Sequence, residues 1–521
     1  MTRPPAIFQP APGTAAERAE QLRERYPRFV YERFLLDRMA DTLRVRFHFR
    51  VEPDIELAPE TTFPGVDWAR VDSLPQGALE NLLFHLGLIE TLSYWKATCS
   101  PEIRVEAGPL DPEQIAWFSD LLRHGMGEFF YVNRIDWRAP EFVRIVPVRA
   151  ATVRERGLGA SGPLADPSAA LRAGARGSEG NGRDLVLTSG GKDSVVTLEL
   201  LRATGRLFDC LLLNPTEAAL AVAKQSGCAK SIIVHRTIDP RLLALNDAGL
   251  LNGHTPFSAL LAMLGVTAAA LYGYGRVIVS NERSAEEAAV EYLGEPINHQ
   301  HSKTLRFETS FRQYSRKYLT APICGHPERR RSGRREGPAL PDALRNAPLG
   351  IEYFSFLRPL YELQIARLFA QYPSYFPLFR SCNRGMKTNT WCGQCSKCLF
   401  VFTVLYPFLE REQVLAIFGA DLLAWEGAGD GLRALLGLDR EKPFECVGTR
   451  DETLAAIYLS VEKMKQQGIP LPPALREIEK TILSTRRDLS DLAHCILTAW
   501  SEEHHVPPKL AEVLRQQAIL R

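Results

Sequence analysis

The sequence predicts an α/β protein organised round a parallel sheet, with an α+β region before it and a helical region after it. Three observations carry that prediction. Between residue 184 and about 320, short apolar runs alternate with stretches whose apolar residues recur at helical spacing, the pattern of βαβ units. One of those runs, LVLT, passes directly into Ser189-Gly190-Gly191-Lys192-Asp193-Ser194 and then into a second apolar, helical stretch. Further on, Cys382, Cys392, Cys395 and Cys398 crowd together as C-x9-C-x2-C-x2-C.

Taken in order, residues 1–150 alternate extended and helical patterns. RFVYERFLLDR and TLRVRFHFRVEP read as strands by period-two alternation, whereas GALENLLFHLGLIETLSYWKA and DPEQIAWFSDLLRHGMGEFF place apolar residues at helical spacing. This is the α+β domain. Residues 151–183 are rich in Ala, Gly, Ser and Arg with little to bury, and are expected to form a disordered linker. The α/β domain follows over 184–381, with strands at LVLT, DCLLLN, SIIVH and RVIVS and helices at VVTLELLRA and PFSALLAMLGVTAAALYGY. An Arg-rich break at 325–347 reads as a flexible, solvated insertion. The cysteine cluster occupies 382–398, and 399–521 reads as amphipathic helices such as DETLAAIYLSVEKMKQQG and LSDLAHCILTAWSEE.

Composition excludes several classes. With 521 residues, 45% hydrophobic and 24% charged, the chain has the means to bury ordinary cores and is expected to hold two or three domains. Lys plus Arg total 63 against 61 for Asp plus Glu, so a net charge of +2 gives no overall reason to expect nucleic-acid binding. The opening MTRPPAIFQPAPGTAAERAE lacks an apolar signal core and no run is long enough to span a bilayer, which predicts a cytoplasmic protein without membrane association. Ten cysteines are too sparse for a disulfide scaffold, and the crowding of four of them points to metal instead.

An apolar strand that runs into SGGKDS and then a helix is suited to holding an anion. Glycines permit positive φ and close backbone approach, so that successive N–H groups and the helix N-terminus converge on phosphate oxygens, while Ser and Lys side chains complete the cradle. The loop is not a Walker A motif: Val186 stands where the first glycine belongs, and Asp193 where Ser or Thr should follow the lysine. A plain capped turn is the alternative, which six such residues at one junction make hard to sustain. The four cysteines have the spacing of a zinc knuckle. A redox role, an iron–sulfur cluster or simply buried thiols are the competing readings. A closed four-thiolate site leaves no open position for water and is expected to hold the fold together.

SGGKDS resembles the pyrophosphate loop (PP-loop) of the N-type ATP pyrophosphatases, a superfamily that includes GMP synthetase, asparagine synthetase and the nitrile synthase of queuosine biosynthesis. The resemblance implies an adenine nucleotide alpha-hydrolase-like domain that uses ATP and Mg²⁺ and releases AMP and pyrophosphate. It further implies that Ser189, Gly190, Gly191, Asp193 and Ser194 contact pyrophosphate or its Mg²⁺ with Lys192 nearby, and that Leu213 and Asn214 lie close to adenosine. The nitrile synthases carry a similar four-cysteine zinc knuckle after RPLYELQIARLF-like sequence, although here the gap after Cys382 is longer.

Further segments, LNGHTPFSALLA, VIVSNERSAEE, INHQHSKTLRFE, FSFLRPLYELQIARLFA, WCGQCSKCLFVF, KPFECVGT and FVYERF, resemble the ATP-dependent MurL epimerases. That family inverts the terminal L-glutamate of UDP-N-acetylmuramoyl-L-alanyl-L-glutamate to D-glutamate for peptidoglycan. The resemblance implies an acyl-adenylate, loss of the α-proton, reprotonation on the other face and hydrolysis. His254, His299 and His301 are candidates for proton transfer because imidazole titrates near neutral pH. Glu282 is a candidate base, Arg283 a carboxylate or phosphate clamp, and Lys303 a cation for the enolate or the adenylate phosphate. The N-terminal domain and residues 352–367 are candidates for holding the UDP end. An amidating ligase or nitrile synthase acting on a carboxylate, and a tRNA-modifying enzyme, are the other outcomes the loop allows.

Overall fold

The computed structural model describes residues 13–147, 182–319, 349–438 and 441–519. Most of the expected linker at 151–183 and the whole Arg-rich insertion at 325–347 lie outside them. Along the chain the strands are β1 (Arg28–Met39), β2 (Thr42–Glu52), β3 (Ile55–Leu57), β4 (Glu60–Pro64), β5 (Glu102–Val105), β6 (Arg144–Pro147), β7 (Asp184–Leu187), β8 (Phe208–Leu213), β9 (Ser231–Thr237), β10 (Arg276–Val279), β11 (Val290–Tyr292), β12 (Glu295–Ile297) and β13 (Glu352–Ser355). Two compact units form: 1–183 with 234–277 and 309–353, and 184–233 with 278–308 and 354–521.

In the first unit β1, β2 and β4 pair antiparallel, and β5 and β6 add parallel to β1. The alternation legible in TLRVRFHFRVE is the burial pattern of β2, which turns Leu43, Val45, Phe47, Phe49 and Val51 into the core and leaves Thr42, Arg44, Arg46, His48 and Arg50 on the other face. The helix Ala78–Trp95 is buried almost throughout, as its run of Leu and Ile requires.

One strand order runs β13–β10–β7–β8–β9, and of these strands β7 and β8 lie wholly within the second unit. β7 and β8 pair parallel, Asp184 opposite Phe208 and Leu187 opposite Leu211, and the helix Lys192–Ala203 connects them. Because both faces are covered, residues 185–187 of β7 and 210–213 of β8 are continuous apolar runs in place of alternating ones. Val186, Leu198, Cys210, Phe354, Leu363, Phe400 and Ile457 belong to one core that runs on through the helices after the cysteine cluster. Among the described residues no helix is long and apolar enough to cross a membrane.

Candidate active site

The loop between β7 and its helix is tied to itself. Ser189 donates its backbone N–H to Ser194 Oγ at 2.9 Å, and the two hydroxyls lie 3.0 Å apart. Gly191 occupies the N-cap with extended φ of −91°, and among the described residues no side chain caps the first N–H groups of the helix Lys192–Ala203. Those donors are the ones an anion would use. The glycines serve close approach and not left-handed geometry, which corrects one part of the expectation: neither Gly190 nor Gly191 has positive φ. A Cβ on Gly190 would stand 2.7 Å from the Ala218 side chain, so the loop packs against the next helix only without one. Leu213 and Asn214 end β8, the neighbouring strand, Asn214 with φ of 43°.

Below the loop lies a charged cluster. Lys192 is buried and bonds Asp193 Oδ1 at 2.5 Å and Glu362 Oε2. Asp193, Glu282 and Glu362 bring carboxylate oxygens within 4.8 Å of one another. Oxygens sharing one Mg²⁺ shell, with bonds of about 2.1 Å, stand about 3–4 Å apart, so this trio fits such an ion. Burial pushes the Lys192 ammonium toward neutrality, but Asp193 and Glu362 more than offset it and raise its pKa. The three carboxyls divide. Burial would raise Asp193, yet Lys192, Lys397 and Lys303 hold it below the ordinary range. At Glu282 burial wins over Lys303, and at Glu362 burial and the charge of Asp193 act together, so both are raised.

Arg358 fixes the geometry. Only 2% exposed, it donates to the carbonyls of Glu282, at 2.6 Å, and of Lys303, and pairs with Glu286 at 3.1 Å. Lys303 Nζ reaches Gln300 Oε1 at 3.3 Å. His299 faces Phe444, ring centroids 6.1 Å apart; burial first, then the charges of Lys303, Lys442 and Lys397, push it down to about 3. His301 is buried in the short helical turn His301–Lys303. Arg283 stacks on Tyr361, 4.6 Å from the ring centre. His254 belongs to the other unit, with Nδ1 3.9 Å from Glu128 Oε2.

Glu362, Lys397 and Arg358 carry no sequence-level assignment of their own. Their only signal was position: Arg358 and Glu362 in RPLYELQ, Lys397 between two cysteines.

The four cysteines converge. Cys382 and Cys395 sulfurs lie 3.9 Å apart, Cys392 and Cys398 3.7 Å, Cys395 and Cys398 3.5 Å. Four thiolates at about 2.3 Å from a tetrahedral zinc would be about 3.8 Å from one another, so the set fits that ion. Backbone N–H groups of Gly385 and Cys398 donate to Cys382 and Cys395 sulfurs, as thiolates require. Cys382, set apart by its longer gap, sits as close as the rest.

Fold and site together describe an α/β protein with a carboxylate-rich polar cluster beyond the carboxyl end of β7, where open α/β sheets bind ligands. The profile of the MurL N-terminal domain matches residues 20–323 and that of the MurL C-terminal domain 378–488. Three relatives share the name UDP-N-acetyl-alpha-D-muramoyl-L-alanyl-L-glutamate epimerase. One from Micromonospora sp. is 34% identical over 84% of this chain and 86% of its own. One from Salinispora tropica is 35% identical over 76% and 77%, and one from Xanthomonas oryzae pv. oryzae 32% over 94% and 96%. The chain belongs to the MurL epimerase family.

Proposed function

We propose that this chain inverts the terminal L-glutamate of UDP-N-acetylmuramoyl-L-alanyl-L-glutamate to D-glutamate for peptidoglycan, after ATP-dependent activation of the glutamate α-carboxylate. The substrate comes from the names of the relatives. The activation step is supported by one observation, the uncapped SGGKDS helix start beside three carboxylates and Lys192.

The need for activation is physical. Removing a proton next to a carboxylate places a second negative charge on a group that is already anionic. Forming an acyl-adenylate removes that charge, so the C–H becomes removable and the enolate can be stabilised by a nearby cation. Ser189, Gly190, Gly191 and Ser194 hold the pyrophosphate part of ATP through N–H and hydroxyl groups, with Lys192 behind them. Asp193, Glu282 and Glu362 hold Mg²⁺, which when bound supplies neutralisation of the leaving pyrophosphate. This role takes Glu282 away from proton transfer. Lys303 faces the developing enolate. Leu213 and Asn214 border the adenosine, and Cys382, Cys392, Cys395 and Cys398 hold a structural Zn²⁺. Cleavage of ATP to AMP and pyrophosphate makes an otherwise nearly balanced epimerisation one-directional.

Purified enzyme given the L-glutamyl substrate, ATP and Mg²⁺ is expected to yield the D-glutamyl product with AMP. Epimerisation without ATP, or ADP as the nucleotide product, contradicts the reading.

A further inference from the structure

Glu282 and Lys303, on which the two halves of the proposed reaction depend, both stand in short turns. Between β10, which ends at Val279, and the helix that starts at Leu305, the chain forms the hairpin β11–β12 and two single helical turns, Arg283–Glu286 and His301–Lys303. Glu282 precedes the first turn and Lys303 ends the second. A side chain on backbone of this kind is placed only as well as the surrounding groups hold that backbone.

One guanidinium joins the two turns. Arg358 Nη1 donates to the Glu282 carbonyl at 2.6 Å and to Glu286 Oε1 at 3.1 Å, and Nη2 donates to the Lys303 carbonyl. The same Glu286 oxygen accepts the backbone N–H of Leu305 at 2.6 Å, a second tie between the turns. Arg358 Nε faces Glu308 Oε2 at 4.0 Å, and neither atom has a hydrogen-bond partner among the described residues. The segment that carries Arg358 runs on into Glu362, whose N–H donates to Ser284 Oγ at 3.0 Å. Glu282 and Lys303 are thereby fastened to the stretch of chain that supplies the third carboxylate. A lysine here would offer donors from a single point, without the fixed fork that reaches two carbonyls at once.

We propose that Arg358 is the positioning residue for both halves of the reaction. Through the Glu282 carbonyl it sets that carboxylate against Asp193 and Glu362 for adenylate formation, and through the Lys303 carbonyl it sets the ammonium that meets the enolate. The inference rests on the activation reading above. Losing the fork therefore has two signatures. The carboxylates hold Mg²⁺ less well, and the adenylate outlives its chance of inversion: water adds at the acyl carbon, AMP leaves, and the acid returns in its L form.

The test gives full-length wild type, Arg358→Lys and Arg358→Gln the substrate UDP-N-acetylmuramoyl-L-alanyl-L-glutamate with ATP over a Mg²⁺ titration, scoring AMP and D-glutamyl product separately. In both variants the Mg²⁺ needed for half-maximal AMP formation is expected to rise by about tenfold or more, with KM for the peptide substrate within about threefold of wild type. The ratio of AMP to D-glutamyl product is expected to rise as well. Arg358→Lys added to Glu282→Gln is expected to leave the Mg²⁺ requirement where Glu282→Gln alone puts it, because the path through Glu282 is already cut. A role in folding alone lowers the melting temperature and the yield of active enzyme and moves neither quantity. An unchanged Mg²⁺ requirement or an unchanged product ratio in folded Arg358→Lys, or additive effects in the double variant, overturns the proposal. Should neither Arg358 variant fold, Glu286→Gln keeps an acceptor for Leu305 and removes the charge beside the guanidinium. It is expected to raise the Mg²⁺ requirement by about threefold, and a wild-type value overturns the proposal. Wild type that forms no AMP fails the activation reading and this inference with it, whereas wild type that forms AMP beside an unchanged Arg358→Lys fails the inference alone.

Discussion

Burial alone would favour the protonated acid at Asp193, yet Lys192, Lys397 and Lys303 keep it ionised. An ionised carboxylate between the loop and the other two carboxylates is what a phosphate-bound Mg²⁺ needs. Asp193→Asn keeps the shape and removes the charge. AMP formation is expected to fall by about a hundredfold or more with a melting temperature close to wild type, and wild-type-like turnover would remove Asp193 from the site. His299 gives a second, independent residue-scale prediction. Its folded value of about 3 lies below its unfolded value of 6.5, so the stabilisation is complete above pH 6.5 and is lost as pH falls toward 3. Near pH 5 the loss is about 2 kcal/mol. His299→Gln is expected to flatten the fall in stability between pH 6.5 and 5 in denaturant titrations; an unchanged slope would show that the imidazole is not buried neutral. Both residues were visible in the sequence as chemistry-bearing types. Their environments were not, because the lysines that set them arrive from segments up to about two hundred positions away.

At the scale of elements, the strand-to-helix junction at 187–192 was legible because a buried parallel strand, two glycines and a helix start are all local signals. The carboxylate cluster was not. Glu362 reaches Lys192 across 170 residues, and nothing in the spacing of either predicts the meeting. Arg358 stands in the sequence only as one member of the 352–367 segment considered for the UDP end, but its buried guanidinium joins the carbonyls of Glu282 and Lys303, a link only tertiary folding creates. The cysteine element lies between these cases. Its C-x2-C-x2-C part is local, while Cys382 depends on how the ten-residue step from Cys382 to Cys392 folds back, and it does, to 3.9 Å from Cys395. About one zinc per chain is expected by metal analysis. Cys382→Ser and Cys395→Ser should each lose it and lower the melting temperature markedly, since a structural metal site couples binding to folding. Full zinc content in Cys382→Ser would exclude that ligand.

For the whole molecule, the α/β class follows from the alternation of strands and helices, and the family from similarity that runs through most of the chain. The discontinuous make-up of the two units, in which 234–277 and 309–353 gather with the N-terminal part, has no signature in composition. In the proposed reaction, what unites the parts is a single chemical requirement, that a carboxylate be made neutral before its neighbouring C–H can be removed. The most direct measurement uses substrate whose glutamate α-carboxylate carries ¹⁸O, followed by mass analysis of the nucleotide after turnover. Hydrolysis of an acyl-adenylate at carbon leaves one carboxylate oxygen on phosphorus, so ¹⁸O-labelled AMP is the predicted product. Unlabelled AMP, or ADP in its place, alongside D-glutamyl product would contradict the account.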